Sequence, residues 1–306
     1  MTLRVATFNL KDFFAARHDD ERGIVEAKLG NVAESLRRAR PDVVALQEVG
    51  SVELLERLVK ALPELGYEAP VIGSEDRRGI RNAILSRLPI QWAQVHQAKS
   101  LPFPRFVLGD QEPFPGRIPL RRGVVHVRVE AGALGEVDVM TTHFKSNLPA
   151  ELKTPDGDPI PDATPHSVGE SAVRSLVLRA AEALYVRSLV DGIFANSPDH
   201  AICVMGDLND TLDSLPVRLV RGIDTKSKHH LRAAVELLPE EARYSCFHGG
   251  EETLIDHVLL SERLHRALRH FEIHNENLRY HGPFTGEPPL TVDSDHALCV
   301  AELDDS

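Results

Sequence analysis

Along this chain, short runs of β-branched and apolar residues repeatedly stop at, or start from, a single polar side chain. The clearest case is Ala201 to Asp210, Ala-Ile-Cys-Val-Met-Gly-Asp-Leu-Asn-Asp. The apolar run predicts a buried strand and the glycine a tight turn. Asp207 and Asn209, two positions apart, can then serve one ligand at the sheet edge, because the strand fixes their backbone. Asp is a hard oxygen ligand or proton acceptor, and Asn offers both a donor and an acceptor. Gly, Asn and Asp also dominate turns for purely local reasons. For this segment alone the two readings stand even.

The recurrence of the layout tips the balance. Leu3 to Phe8 alternates like a strand and is followed by Asn9, and Val43 to Gln47 ends at Glu48. Val137 to Thr142 delivers His143, Leu254 to Leu260 carries Asp256 and His257 near its start, and Asp293-Ser-Asp-His296 leads into Ala297 to Leu303. Ala83 to Ser86 and Val124 to Val129 read as further strands. Between them lie helical patterns: Ile24, Val25, Leu29, Val32 and Leu36, closed off by Pro41, then Leu54, Leu55, Leu58, Val59 and Leu62. Ser167-x-x-Glu170 reads as a capping box opening a helix with Val173, Leu176, Val177, Ala180 and Leu184 on one face. In a sheet with antiparallel neighbours, the end of one strand and the start of the next share an edge. Asn9, Glu48, His143, Asp207, Asp256, Asp295 and His296 would then meet in one crevice. Singly, each has a bland explanation as a strand end, a helix cap or a satisfied histidine, but the pattern as a whole does not.

The 306 residues, 42% of them hydrophobic, suffice for a large core, and no linker or fixed-period repeat divides them, so 1–306 reads as one domain. No run approaches the roughly 18 apolar residues of a membrane span. The start, Met-Thr-Leu-Arg-Val-Ala-Thr-Phe, has no signal-peptide pattern, so a cytoplasmic protein is expected. Cys203, Cys246 and Cys299 sit in apolar runs without a C-x-x-C pair, which predicts buried thiols. The net charge of −11 excludes a protein that coats nucleic acid through a basic surface, though not an enzyme with a local basic rim. Such a rim is offered by Lys99 to Arg122, where Phe103, Phe106 and Phe114 lie among Arg105, Arg117, Arg121 and Arg122. These aromatics could stack bases beside phosphate-holding arginines, or form a lid over the core edge. Lys145 to Gly169, with five prolines, reads as an exposed loop.

Phe-Asn-Leu at 8–10, Leu-Gln-Glu-Val at 46–49, Thr-His-Phe-Lys-Ser at 142–146, Gly-Asp-Leu-Asn at 206–209, Ile-Asp-His-Val at 255–258 and Ser-Asp-His at 294–296 resemble, in order, the motifs of the endonuclease/exonuclease/phosphatase superfamily, the deoxyribonuclease I-like proteins. The resemblance implies an α/β fold, a four-layer sandwich of two mostly antiparallel sheets flanked by helices, and a divalent-metal phosphoesterase. It implies that Glu48 holds Mg²⁺ or Mn²⁺ with Asn9 nearby on metal or phosphate, and that Asp295 serves the metal or the neighbouring histidine. Mg²⁺ fits such a set, since it prefers oxygen and uses only one or two carboxylates. By the same resemblance His296 is the general base oriented by Asp256, His143 assists the phosphate or the leaving oxygen, and Asp207 and Asn209 orient water and phosphate. Arg121, Arg122 and Lys145 are expected on the substrate. His257 should face away from Asp256 and is left out.

Lys11 stands where abasic-site endonucleases of the superfamily carry an acid, no tyrosine occurs between Tyr67 and Tyr185, and His143 replaces their asparagine. These departures point to the two-histidine branch and, through His-Phe-Lys-Ser, to bacterial nucleases. The expected activity is hydrolysis of phosphodiester bonds in DNA or RNA. The alternative is an esterase acting on inositol phosphates or phospholipid head groups. A catalytically dead scaffold is disfavoured because every mapped position keeps the expected residue type. Oligomeric state is not readable.

Overall fold

In the computed structural model, which describes residues 2–248, 250–279 and 290–304, the chain runs β1 (Leu3–Phe13), α1 (Arg22–Ala39), β2 (Val43–Val49), α2 (Val52–Lys60), β3 (Val71–Ile72), β4 (Arg81–Ser86), β5 (Ile90–His96), β6 (Val124–Glu130), β7 (Glu136–His143), β8 (Leu152–Lys153), β9 (Pro159–Ile160), α3 (Pro165–Asn196), β10 (Ala201–Asp207), α4 (Leu215–Arg221), β11 (Arg232–Ala233), β12 (Cys246–His248), β13 (Glu251–Thr253), β14 (Asp256–Leu260), α5 (Glu262–Ala267), β15 (Leu268–His274) and β16 (Leu298–Leu303). Two six-stranded sheets result, ordered β15-β16-β1-β2-β4-β3 and β11-β14-β10-β7-β6-β5. Each contains one parallel pair, β1–β2 in the first and β7–β10 in the second, with antiparallel neighbours on either side. The mostly antiparallel two-sheet expectation matches this arrangement.

Alternation decides which layer each strand residue joins. In the first sheet Val5, Val43 and Ile84 face the second sheet, whereas Ala6, Val44 and Leu85 face α1 and α2, meeting Val32, Leu36, Leu55 and Leu58. The second sheet is covered outside by α3 through Ala183, Val186 and Val190. Burial on both faces explains why these strands read as nearly continuous apolar runs. The three cysteines are buried and free.

Two local expectations need correction. The helix expected from Ser167 starts earlier: Thr164 is its N-cap, Pro165 occupies the first turn, and Thr164 and Ser167 form the capping box. Proline is pre-set for that position and needs no N–H there, so Thr-Pro is the stronger start signal. Glu48 does not end β2 but lies inside it, at a register shift and with φ +58°. β5 and β15 carry no strand signal in the sequence. They lie at or near sheet edges with exposed faces, so no clean apolar pattern marks them.

Candidate active site

The second sheet sets out the floor of the site by register. Asp207 at the end of β10 is paired with His143 on β7 and with Asp256 on β14, so the three stand in one row across three strands. Gly206 makes this row close: its φ is +144°, and a Cβ there would lie 2.0 Å from the Thr142 carbonyl oxygen. The first sheet supplies Asn9 and Glu48 from β1 and β2. Thr7, Gln47 and Thr141 bridge the sheets beneath them, with Thr7 Oγ1 donating to Gln47 Oε1 at 3.2 Å and Gln47 Nε2 to Thr141 Oγ1 at 3.0 Å. This fully buried polar bridge fixes the two halves relative to each other, which an apolar contact would do with less directionality.

Between these walls lies a hydrogen-bonded group. His296 Nδ1 is 2.8 Å from Asp256 Oδ2, and Ser245 Oγ donates to the same oxygen at 2.8 Å. His296 Nε2 therefore faces Asp207 Oδ2 at 4.0 Å and Asn9 Nδ2 at 3.5 Å. Asn9 Nδ2 donates to Asp207 Oδ2 at 2.9 Å while its Oδ1 accepts from the Lys11 amide. His143 Nε2 is 3.4 Å from Asp207 Oδ2 and 3.9 Å from Glu48 Oε1. Asn209, at φ +53°, donates from Nδ2 to the Phe144 carbonyl at 3.1 Å, and its amide donates to Asp207 Oδ1 at 2.8 Å. The expected crevice residues Asn9, Glu48, His143, Asp207, Asp256, Asp295 and His296 are all brought together.

Burial and the neighbouring charges push their protonation apart. Asp207 rises to about 7, through burial first and then the Asp256 charge. His296 rises well above the ordinary imidazole value, because Asp256 outweighs the opposing effect of burial. His143 falls well below it, driven by burial and then by Arg122 and His296, and is neutral at pH 7. Burial opposes the ionisation of Glu48, but Arg78, the Asp12 amide and Arg122 prevail and hold it below the usual carboxylate range. Groups displaced in opposite directions within one cleft mark acid–base chemistry.

Donor atoms of Asp207, Asp256 and His296 lie within 4.8 Å of one another. The bond between His296 and Asp256 already uses one ring nitrogen, so this trio suits proton handling. For a hard divalent cation the better oxygens are those left without donors. Asp12 N–H donates to Glu48 Oε2, leaving Oε1 with no hydrogen bond among the described residues, and Asp295 Oδ1 is buried without a hydrogen-bond partner. This donor set fits Mg²⁺ or Mn²⁺. Asn9, expected near the metal, has both ends of its carboxamide engaged and positions Asp207.

The residues expected on the substrate divide. Arg122 is buried, pairs with Asp76 at 3.1 Å and donates to the His143 and Phe144 carbonyls, so it braces the end of β7. Lys145 Nζ folds back onto Ser146 and the Leu148 carbonyl. Arg121 has no hydrogen bond or ion pair from its side chain among the described residues. Its proximity to Arg122, second to the effect of burial, lowers its pKa. Of the phenylalanines, Phe103 packs on the core and Phe114 meets it edge-on at 5.5 Å, whereas Phe106 is exposed. His257 faces away, as expected, onto the Asp210 carbonyl. Gln47, Asp76, Arg78 and Ser245 were missed. Gln47 lay in plain view within Leu-Gln-Glu-Val, but nothing in the sequence marks Ser245.

Fold and site together define a two-sheet α/β sandwich carrying a histidine–carboxylate centre beside hard oxygen donors. The family model for the Endonuclease/Exonuclease/phosphatase family matches residues 6–296, and the chain belongs to that family. Comparison with curated protein sequences gives no significant match. Among solved structures, truncated Caenorhabditis elegans TDP2 is similar with a TM-score of 0.61 at 16% identity, over 99% of this chain and 97% of that one. An endonuclease/exonuclease/phosphatase family protein from Bacteroides thetaiotaomicron also gives 0.61, at 17% identity over 100% and 99%. The 3′ phosphatase NExo from Neisseria, bound to a product DNA hairpin, gives 0.57 at 19% identity over 99% of each chain. At these identities the likeness establishes the deoxyribonuclease I-like fold.

Proposed function

We propose that residues 1–306 form one catalytic domain, a divalent-metal-dependent phosphodiesterase that hydrolyses phosphodiester bonds of nucleic acid. The observation that carries this reading is the Asp256–His296 pair pointed at Asp207, with His143 Nε2 in reach of both Asp207 Oδ2 and Glu48 Oε1. The structurally similar Neisseria protein, described as a 3′ phosphatase bound to a product DNA hairpin, supports nucleic acid as the substrate. Glu48, with Asp295, would hold the cation, which when bound neutralises the charge that builds on the phosphoryl oxygens.

The chain's own residues do the rest. A water oxygen attacks phosphorus and gives its proton to Asp207 or His296, which face each other at 4.0 Å, while the bond from phosphorus to the leaving sugar oxygen breaks and that oxygen takes a proton from solvent water. His296 alone was the base expected from sequence, and the raised Asp207 now stands beside it. Asp256 fixes the tautomer of His296. Neutral His143 donates one ring N–H to a phosphoryl oxygen, and Asn9 keeps Asp207 in line. Arg121, half-buried and without a side-chain ion pair among the described residues, is available to the phosphate of a neighbouring nucleotide. Supercoiled plasmid, single-stranded RNA, inositol phosphates and phosphocholine esters incubated with Mg²⁺ test the proposal. Cleavage of a nucleic acid is expected, and turnover of head groups alone would replace the nuclease by the esterase reading.

A further inference from the structure

Lys11 lies two positions after Asn9, within the irregular end of β1. Between Asn9 and Phe13 the register of β1 shifts, and Lys11 and Asp12 both adopt left-handed backbone, with φ +52° and +51°. That bulge brings their side chains to the Glu48 end of the site. Lys11 Nζ donates to Asp295 Oδ2 at 2.9 Å, its side chain 28% exposed and that of Asp295 only 7%. Asp12 accepts from Arg78 at 2.5 Å. Lys28, 3% exposed and bonded to the Thr291 and Asp293 carbonyls, adds a second fixed ammonium nearby. Asp295 and Asp12 are therefore each matched by a side-chain cation, Asp295 through Oδ2, whereas Glu48 carries no Lys or Arg ion pair among the described residues and its Oε1, like Asp295 Oδ1, accepts no hydrogen bond there.

We propose that Lys11 is a tethered cation that occupies Asp295 and so sets how tightly the site binds a divalent ion. This rests on the metal reading above. An ammonium and a divalent ion compete for one carboxylate, and like charges in a partly buried cleft repel with little screening. With Lys11 in place the charge of Asp295 is already offset and only its Oδ1 is open beside Glu48, enough for Mg²⁺ but not for tight binding. Removing the ammonium frees Asp295 Oδ2, returns the full carboxylate charge to the site and deletes a repelling charge.

Mn²⁺ titration of the full chain by calorimetry tests this, with circular dichroism of the metal-free proteins to confirm folding. Lys11→Met and Lys11→Gln are expected to bind Mn²⁺ about tenfold tighter than wild type, and Lys11→Arg within about twofold of it. Adding Asp295→Asn to Lys11→Met should cancel the gain. If the two neutral variants bind no tighter than wild type, or if the double variant keeps the gain, the proposal is overturned. Failure of the underlying metal reading is distinct: Glu48→Gln would then bind Mn²⁺ as well as wild type.

Discussion

Asp256 carries two burdens at once, orienting His296 through a 2.8 Å hydrogen bond and placing a negative charge beside both His296 and Asp207. That charge favours the protonated form of each, second only to the effect of burial, which raises Asp207 to about 7 and works the other way on His296. Because the pair must lose its proton to accept one from water, the acid limb of kcat/KM should lie near or above pH 7. Asp256→Asn removes the raising charge from both groups, so the limb should move about one unit lower. The maximal rate should fall roughly 100-fold as the tautomer is lost. A pH profile at saturating Mn²⁺ checks this, and a limb that stays in place would mean that other groups take the proton.

At the scale of elements, β10 and its turn show how little freedom the site has. Gly206 cannot carry a side chain without displacing the Thr142 backbone on β7. Gly206→Ala should cost about 3 kcal/mol of stability, from left-handed strain and overpacking together. Denaturant unfolding would reveal it, and a cost under about 1 kcal/mol would contradict the register described. On the α3-facing side of the same sheet, buried Asp138 accepts from His126 at 2.8 Å and from Arg128 at 2.8 and 3.2 Å, with His200 at 2.5 Å. These bonds overcome the effect of burial and hold its pKa far below the usual carboxylate range. A depressed folded pKa gives stability that is present above the unfolded value, about 4, and lost as pH falls towards the folded one. Asp138→Asn should thus cost about 3 kcal/mol at pH 7, and the gap between urea midpoints should narrow below pH 4.

The elements differ in how far the sequence discloses them. β2, β6, β7 and β10 are buried on both faces and read directly as apolar runs, and α1 is closed by Arg40 in the left-handed region, with Pro41 beyond it unable to continue the helix. β5 was invisible because half its length faces solvent. In the site, Glu48, His143, Asp207, Asp256 and His296 were legible because each abuts an apolar run. Arg78 and Asp76 were not, since a polar loop looks alike whether it braces a site or merely turns. The engaged state of Arg122 and Lys145 depends on tertiary partners, Asp76 and the Ser146–Leu148 carbonyls, that residue type cannot announce.

At the scale of the whole molecule, the two sheets repeat one plan, a parallel pair at the centre with antiparallel strands outside, and each contributes half of the site. Glu48 comes from one sheet, Asp207 and Asp256 from the other, and His296 from the approach to β16. In a chain of net charge −11, Lys11, Arg78 and Arg122 near that junction are each matched by a carboxylate, Asp295, Asp12 and Asp76, which leaves Arg121 without an ion pair among the described residues. Among the described residues no helix is long and apolar enough to cross a membrane. Phosphodiester cleavage by this site therefore requires side chains from both sheets to act together. Single-turnover cleavage of a labelled DNA or RNA strand with Mg²⁺ measures it directly, comparing wild type with folded Glu48→Gln and His296→Ala. Losses of about 1,000-fold or more in each are predicted, and cleavage by either variant at the wild-type rate would contradict it.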